Sequence, residues 1–103
     1  MYLVHVHLRA HPRGHALPDW TAAAVAGRGA EFTGFEHVSV HRNPASGPTV
    51  GIFLRARSLE EAEAAAERLW RRSCSAHPSL RDWEFRSAEV PLIALEYHPW
   101  LAE

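Results

Sequence analysis

The chain has 103 residues, 47% of them hydrophobic, and a formal net charge of −1 at pH 7. This length and composition are typical of one soluble globular domain, and no stretch approaches the roughly 18 apolar residues that a membrane-spanning helix needs. The near-zero net charge argues against a nucleic-acid-binding protein, which carries a basic surface. Because Cys74 is the only cysteine and the N-terminus lacks a signal-peptide pattern, we expect a cytoplasmic protein.

Alternating apolar and polar residues predict three strands and a helix in the first half of the chain. Residues 2–9 (YLVHVHLR), 35–42 (FEHVSVHR) and 49–56 (TVGIFLRA) alternate with period two, as half-buried strands do. Between the first two strands, LPDWTAAAVAG predicts a short helix with Pro18 at its first position and Gly27 or Gly29 ending it in the left-handed conformation. The loop NPASGP joins the second and third strands as a hairpin.

The second half of the chain predicts a longer helix and a fourth strand. Residues 58–61 (SLEE) form a capping box that opens a helix running to about Ser73. Alanines dominate the apolar face of this helix, which allows the helix to lie close to a sheet. Residues 83–90 (WEFRSAEV) predict a weaker strand whose alternation slips near Ser87, where we expect a bulge.

The order strand, helix, strand, strand, helix, strand predicts an α+β fold with one antiparallel sheet of strand order 4-1-3-2 and both helices on one face. This arrangement resembles ferredoxin-like proteins and, among them, the dimeric α/β-barrel group, in which two protomers stack sheet against sheet around a cavity. The resemblance covers residues 2–90 as topology only. The stretches EHVSVH (36–41) and AAAERLWRR (64–72) also look like those of short uncharacterised proteins from high-GC actinobacteria, a likeness that implies no activity.

A set of polar and aromatic residues is expected on the sheet face opposite the helices. Eight histidines are the outlier of the composition, and four of them share the parity that points away from the valine-rich face. Such a face can simply be solvated, since antiparallel sheets often leave one side to water. Phe53 at its centre favours a covered face instead. The candidate ligand- or partner-binding residues are His5, His7, Arg9, His37, His41, Phe53, Arg55, Glu84 and Arg86.

The sequence divides into a domain at residues 1–90 and a C-terminal extension at residues 91–103 (PLIALEYHPWLAE). The extension is rich in large apolar groups, unlike a disordered tail. It either packs on its own domain or contacts a partner protomer, so Tyr97 and Trp100 are added to the candidate binding residues. A symmetric homodimer is the usual association of a small soluble chain, and we expect one here.

These features favour a non-catalytic binding or accessory protein, without a cofactor, that binds a partner protein or small ligand through the His/Arg-rich face and the aromatic tail. The alternative, implied by the resemblance, is a dimeric α/β-barrel enzyme such as a monooxygenase, isomerase or cyclase. Its histidine base and arginine would come from His7, His37, His41 and Arg55. The sequence carries no phosphate loop, nucleophile elbow or HExxH motif, so we lean against an enzyme. A closed pocket where His7 or His41 meets Arg55 would favour one.

Metal and RNA binding are the remaining alternatives for this face. The spacing of His5 and His7 places two imidazoles on one face, about 6.6 Å apart at Cα, with Glu84 as the best third ligand. The neighbouring arginines repel a cation, so no metal is expected. His37 and His41 are expected roughly 10 Å away, behind Phe53 and Arg55. RNA recognition needs aromatic residues on the first and third strands, where only Phe53 is available.

Overall fold

The computed structural model describes residues 1–42 and 47–91. The elements are β1 (Tyr2–Leu8), α1 (Thr21–Gly29), β2 (Phe35–His41), β3 (Thr49–Leu54), α2 (Leu59–Ala76), a short 3-10 helix (Pro78–Asp82) and β4 (Phe85–Glu89). The four strands form one antiparallel sheet in the order β2-β3-β1-β4, which gives the α+β class and the strand order that the sequence predicts. Within the described ranges, no helix combines the length and apolarity required to cross a membrane.

The core lies on one side of the sheet and joins it to both helices. Val4, Val6 and Leu8 of β1 are fully buried, whereas the residues between them are only partly buried. The same parity of β3 is buried, and one cluster unites these side chains with Val25 of α1 and Leu69 of α2. Because side chains alternate along a strand, the other parity of both central strands faces away from the helices.

The long helix α2 begins where the capping box predicts and lies close to the sheet. The Ser58 hydroxyl accepts a hydrogen bond from the backbone N–H of Glu61 at 3.1 Å. The Glu61 carboxylate accepts one from the backbone N–H of Arg57 at 3.3 Å, one residue before the cap. Ala62 and Ala66 are fully buried, so the helix presents small side chains to the sheet. The helix ends at Ala76, beyond the predicted Ser73.

The prediction for α1 was wrong at its start, and it was right about Gly29 as the last residue but wrong about a left-handed conformation there. The helix begins at Thr21, because the carbonyl of Pro18 accepts hydrogen bonds from both the backbone N–H and the hydroxyl of Thr21, at 3.1 and 2.8 Å, and closes a turn ahead of the helix. Neither candidate glycine has a positive φ, and the C-cap Ala30 is right-handed. Gly29 serves close packing instead: a Cβ there would lie 2.7 Å from the Phe35 ring.

Both edge strands contain a bulge, and the one in β4 is where the sequence predicts it. The pairing passes from His7 opposite Ser87 to Leu8 opposite Phe85, so Arg86 is an extra residue. In β2 the register shifts between Phe35 and His37, which makes Glu36 the extra residue. Each bulge changes which charged side chains of an edge strand lie beside the central strands.

We predict that Ala66→Leu lowers the free energy of unfolding by about 1–3 kcal/mol, because added methylenes in a filled core force side chains or backbone apart. Ala64→Leu on the same helix is the matched control; Ala64 is exposed, so the change should stay within about 0.5 kcal/mol. Urea denaturation of both variants measures the difference. Equal effects at the two positions would show that the Ala66 face of α2 is not closely packed against the sheet.

Candidate functional site

The sheet face opposite the helices, called here the open face, carries histidines from two strands. Since β3 lies between β1 and β2, each row across the sheet contains three residues from these strands. The register places them in three successive rows: His7, Thr49 and His41; His5, Gly51 and Ser39; Leu3, Phe53 and His37. The prediction that the histidines of β1 and β2 share one face is confirmed.

Two small residues of β3 lie beside the histidines of β1. Thr49 stands in the row of His7 and Gly51 in the row of His5, so the sequence-based expectation that Phe53 and Arg55 separate these histidines from β2 was wrong, although Phe53 does stand between β1 and His37. A Cβ at Gly51 would lie 2.9 Å from the Ser39 Oγ and 3.8 Å from the His41 Nε2. The missing side chain therefore leaves a gap that Ser39 and the ring of His41 approach from β2 and Leu3 approaches from β1.

The rings of His5, His7 and His41 form a group that we call the imidazole cluster. The ring centroid of His5 lies 5.8 Å from that of His7, edge to face, and 6.2 Å from that of His41. The Nδ1 of His7 is 3.3 Å from the Thr49 hydroxyl, and its Nε2 is 3.4 Å from an oxygen of Glu89. One side of the cluster thus has a carboxylate, and the rest is lined by imidazoles and hydroxyls.

The environment of His5 favours its neutral form. Burial lowers the pKa of His5 from its ordinary value of 6.5, and the nearby His7 and His41 lower it further, while Glu89 acts in the opposite direction. Desolvation is the larger cause because a charged imidazole loses water that the partly covered sheet surface cannot replace. At neutral pH the centre of the open face therefore carries an uncharged imidazole.

The cluster continues into an apolar depression. The rings of His37 and Phe53 lie 5.8 Å apart. An open depression of about 620 Å³ is lined by Leu3, His5, His37, Ser39, His41, Thr49 and Phe53. The volume would hold a small ligand, but the depression is shallow and open to solvent, unlike the enclosed pockets of most small-molecule sites.

The arginines of the open face are paired with carboxylates near its margins. The Nε of Arg9 is 3.6 Å from Glu84, and the Nε of Arg55 is 2.7 Å from Glu36. Arg86, the extra residue of the β4 bulge, is exposed. Exposed ion pairs of this kind contribute little to stability, so their consequence is electrostatic: they neutralise the rim of the face.

The structure does not assemble the metal site with His5, His7 and Glu84. Glu84 precedes the bulge at Arg86 and lies beside Arg9, whereas Glu89 lies opposite His5 and contacts His7. Across residues 1–42 and 47–91 no group of three or more His, Cys, Asp or Glu side chains is arranged to hold a metal ion. The backbone carbonyl of Glu84 instead accepts a hydrogen bond from the backbone N–H of Arg9, at 2.8 Å.

The residues named for the enzyme alternative fall into two groups. His7 and His41 lie at one end of β3, whereas His37, opposite Phe53, lies at the other end, near Arg55. His7 and His41 both flank Thr49, whereas Arg55 is six residues further along the chain, a distance of about 20 Å in an extended strand. A single protomer therefore does not bring this arginine to His7 or His41. Tyr97 and Trp100, the candidate residues of the tail, lie outside the described residues.

Two residues of the site were missed from the sequence. Gly51 was assigned to the correct strand but not recognised as a gap, although a glycine inside a strand often marks a close approach. Glu89 was overlooked because the open-face residues of β4 were assigned only before the expected bulge, as Glu84 and Arg86. Both omissions concern register, which alternation within one strand does not determine.

A second group of rings has a structural explanation. The ring of His11 stacks on His15 at 4.3 Å and packs against Trp83 at 4.8 Å. Its Nδ1 accepts the backbone N–H of Arg13 at 2.9 Å, while its Nε2 lies 3.5 Å from Asp82. Both ring nitrogens of His11 are engaged, so this group anchors the loop after β1 rather than offering a free base.

No protein-family model, curated protein or solved structure matches this chain. Its function is therefore inferred from the geometry and chemistry of the open face.

We predict that the free energy of unfolding decreases as the pH falls below 6.5, and that His5→Gln makes this decrease smaller. The pKa of His5 is lower in the folded chain than its ordinary value of 6.5, so the unfolded state binds the proton first. The stabilisation is complete above the unfolded pKa and is lost as the pH falls towards the folded one. Urea unfolding at a series of pH values measures both slopes; identical slopes would contradict the placement of His5 in a partly desolvated cluster.

Proposed function

We propose that this chain is a non-catalytic binding protein of ferredoxin-like topology that forms a homodimer through its open face. The observation that carries the proposal is the distribution of charge on that face. The neutral imidazole of His5 and apolar side chains occupy its centre, ion pairs occupy its margins, and α1 and α2 lie on the opposite side of the sheet. Two protomers would then stack sheet against sheet, as the resemblance to dimeric α/β-barrel proteins implies.

The centre of the open face has the chemistry of an interface core. Leu3 and Phe53 are only partly buried, although their side chains are large and apolar. Leu3 and Phe53 adjoin His5, whose environment favours the neutral imidazole. They also adjoin Gly51, where the backbone carries no side chain. Interfaces between proteins are depleted in charge at the centre and polar at the rim, so this arrangement supports burial of the face against another surface.

The rim of the open face is complementary to itself. It carries both signs of charge, in the pairs Arg9 with Glu84 and Arg55 with Glu36. In a two-fold dimer the same patch meets itself, so a surface of mixed sign can place opposite charges across the interface without a dedicated partner. A second copy of this chain is therefore the occupant that the rim favours.

The extent of the sheet is consistent with a dimer only when the C-terminal extension contributes. Four strands, with β1 of seven residues, give a flat face of roughly 19 by 23 Å, or about 440 Å². A stable interface uses about 800 Å² from each partner. Residues 91–103 contain the apolar and aromatic groups that could supply the remainder, and we propose that they contact the partner protomer.

Stacking two open faces would convert the two depressions into one cavity between the sheets. Each protomer contributes a depression of about 620 Å³ with imidazole, hydroxyl and aromatic groups on its walls. A small ligand could be held there. The enzyme alternative receives no comparable support, because Arg55 lies about 20 Å along β3 from His7 and His41 of its own protomer and is paired with Glu36.

We predict that the full-length chain sediments at pH 7.5 with twice its monomer mass of 11.6 kDa. Phe53→Glu should raise the dimer dissociation constant by about thirtyfold or more, because it buries a carboxylate at the centre of the interface. The matched control is Leu59→Glu, the same type of change at an exposed position on α2, which should leave the mass unchanged. Sedimentation equilibrium measures all three chains. A monomeric wild type, or equal effects of the two variants, would overturn the dimer through this face.

We predict that removing residues 92–103 weakens the dimer while leaving the domain folded, because the deleted apolar groups lie beyond β4 in the sequence. The measurement is the dissociation constant of the truncated chain, with far-ultraviolet circular dichroism as the check on folding. An unchanged dissociation constant would exclude the extension from the interface. A tighter dimer would indicate that the extension covers the open face of its own protomer.

A further inference from the structure

We propose that the homodimer is regulated by pH through the imidazole cluster: the open faces close on one another when His5, His7 and His41 are neutral, and acid separates them. The inference rests on the proposed dimer and adds its regulation. It stands on the placement of three titratable rings at the centre of the surface that association would bury.

The spacing of the rings makes simultaneous charging unfavourable. His5 is 5.8 Å from His7 and 6.2 Å from His41 between ring centroids, and Gly51 places no side chain between the strands. At separations near 6 Å, like charges repel strongly wherever solvent screening is reduced. Covering the face with a second sheet would reduce that screening.

The groups that face the cluster do not offset three positive charges. Beside the cluster, β1 contributes the uncharged Leu3, and Arg9, which follows the strand, is cationic and paired with Glu84. The positions of β3 beside it are Thr49 and Gly51, and on β2 the neighbour within the row is Ser39. On β4 the facing carboxylate is Glu89, 3.4 Å from the His7 Nε2. The helices lie on the other side of the sheet. Among the described residues, one carboxylate thus faces three imidazoles.

The direction of the effect follows from the environment of His5. Burial already lowers the pKa of this residue within one protomer. A second sheet would remove more water from the ring, so the pKa should be lower in the dimer than in the monomer. The dimer is then fully favoured above the monomer's pKa and is lost as the pH falls below it, because the monomer takes up the proton more readily.

The test measures the dimer dissociation constant of the full-length chain by sedimentation at pH 7.5 and pH 5.5, at constant ionic strength. The wild-type constant should rise about tenfold at the lower pH, because a two-fold dimer links its dissociation to a symmetric pair of His5 protons. His5→Gln/His41→Gln should nearly abolish the rise. His77→Gln is the matched control, since His77 lies at the C-cap of α2 beside Trp20, away from the open face; it should retain the rise.

Glu89→Gln gives a result that a purely structural role would not produce. The carboxylate favours the charged form of His5, so its removal should shift the dissociation to lower pH rather than abolish it. His41→Gln alone changes an exposed residue and should reduce the rise, which keeps the test valid if the double variant does not fold.

The possible failures are distinguishable. A wild-type chain that is monomeric at pH 7.5 overturns the proposed dimer. A wild-type dimer with equal dissociation constants at both pH values leaves the dimer intact and overturns its regulation. A rise that persists in the double variant assigns the pH dependence to other groups and also overturns the inference.

Discussion

The burial of one side of β1 and β3 beneath the two helices is the constraint on which the rest of the structure depends. Val4, Val6 and Ile52 are fully buried in the core. Because the side-chain period of a strand is two, this burial commits His5 and His7 to the opposite side. A slip of one residue would place the imidazoles in the core and the valines in solvent, so the free energy of core burial also fixes the composition of the open face.

Small residues and bulges then decide which groups of that face touch. Gly51 removes the side chain that would keep the β1 and β2 histidines a full two-strand distance apart, and the rings of His5 and His41 approach to 6.2 Å. The extra residue Arg86 brings Glu89, rather than Ala88, opposite His5. The same residues in a sheet without bulges would give the histidine rings different neighbours, and therefore a different electrostatic environment.

The sequence predicted the features that depend on a single strand or helix and failed on those that depend on pairing. Alternation within β1, β2 and β3 was sufficient to place the histidines on one face, and the order of elements was sufficient for the strand order. The capping box of α2 could also be recognised from the sequence, because Ser58 and Glu61 are close in the chain. The contact of Gly29 with Phe35 and the register of Gly51 join distant segments, so no local pattern reports them. The start of α1 failed for a different reason: a local turn at Pro18 competed with the helix and prevailed.

The choice of histidine at the centre of the face has a physical consequence that other polar residues would not provide. An arginine or a glutamate there would be charged at every physiological pH and would cost free energy on burial unless paired. Leucine would leave an exposed apolar patch on the free monomer, which would promote association at every pH. Imidazole is neutral near pH 7 and still able to hydrogen-bond, so it suits a surface that is exposed in one state and buried in another. The arginines, which cannot lose their charge, lie at the margins beside Glu84 and Glu36, where association would leave them near water. The separation of titratable centre from permanently charged rim is what makes the open face suited to reversible burial.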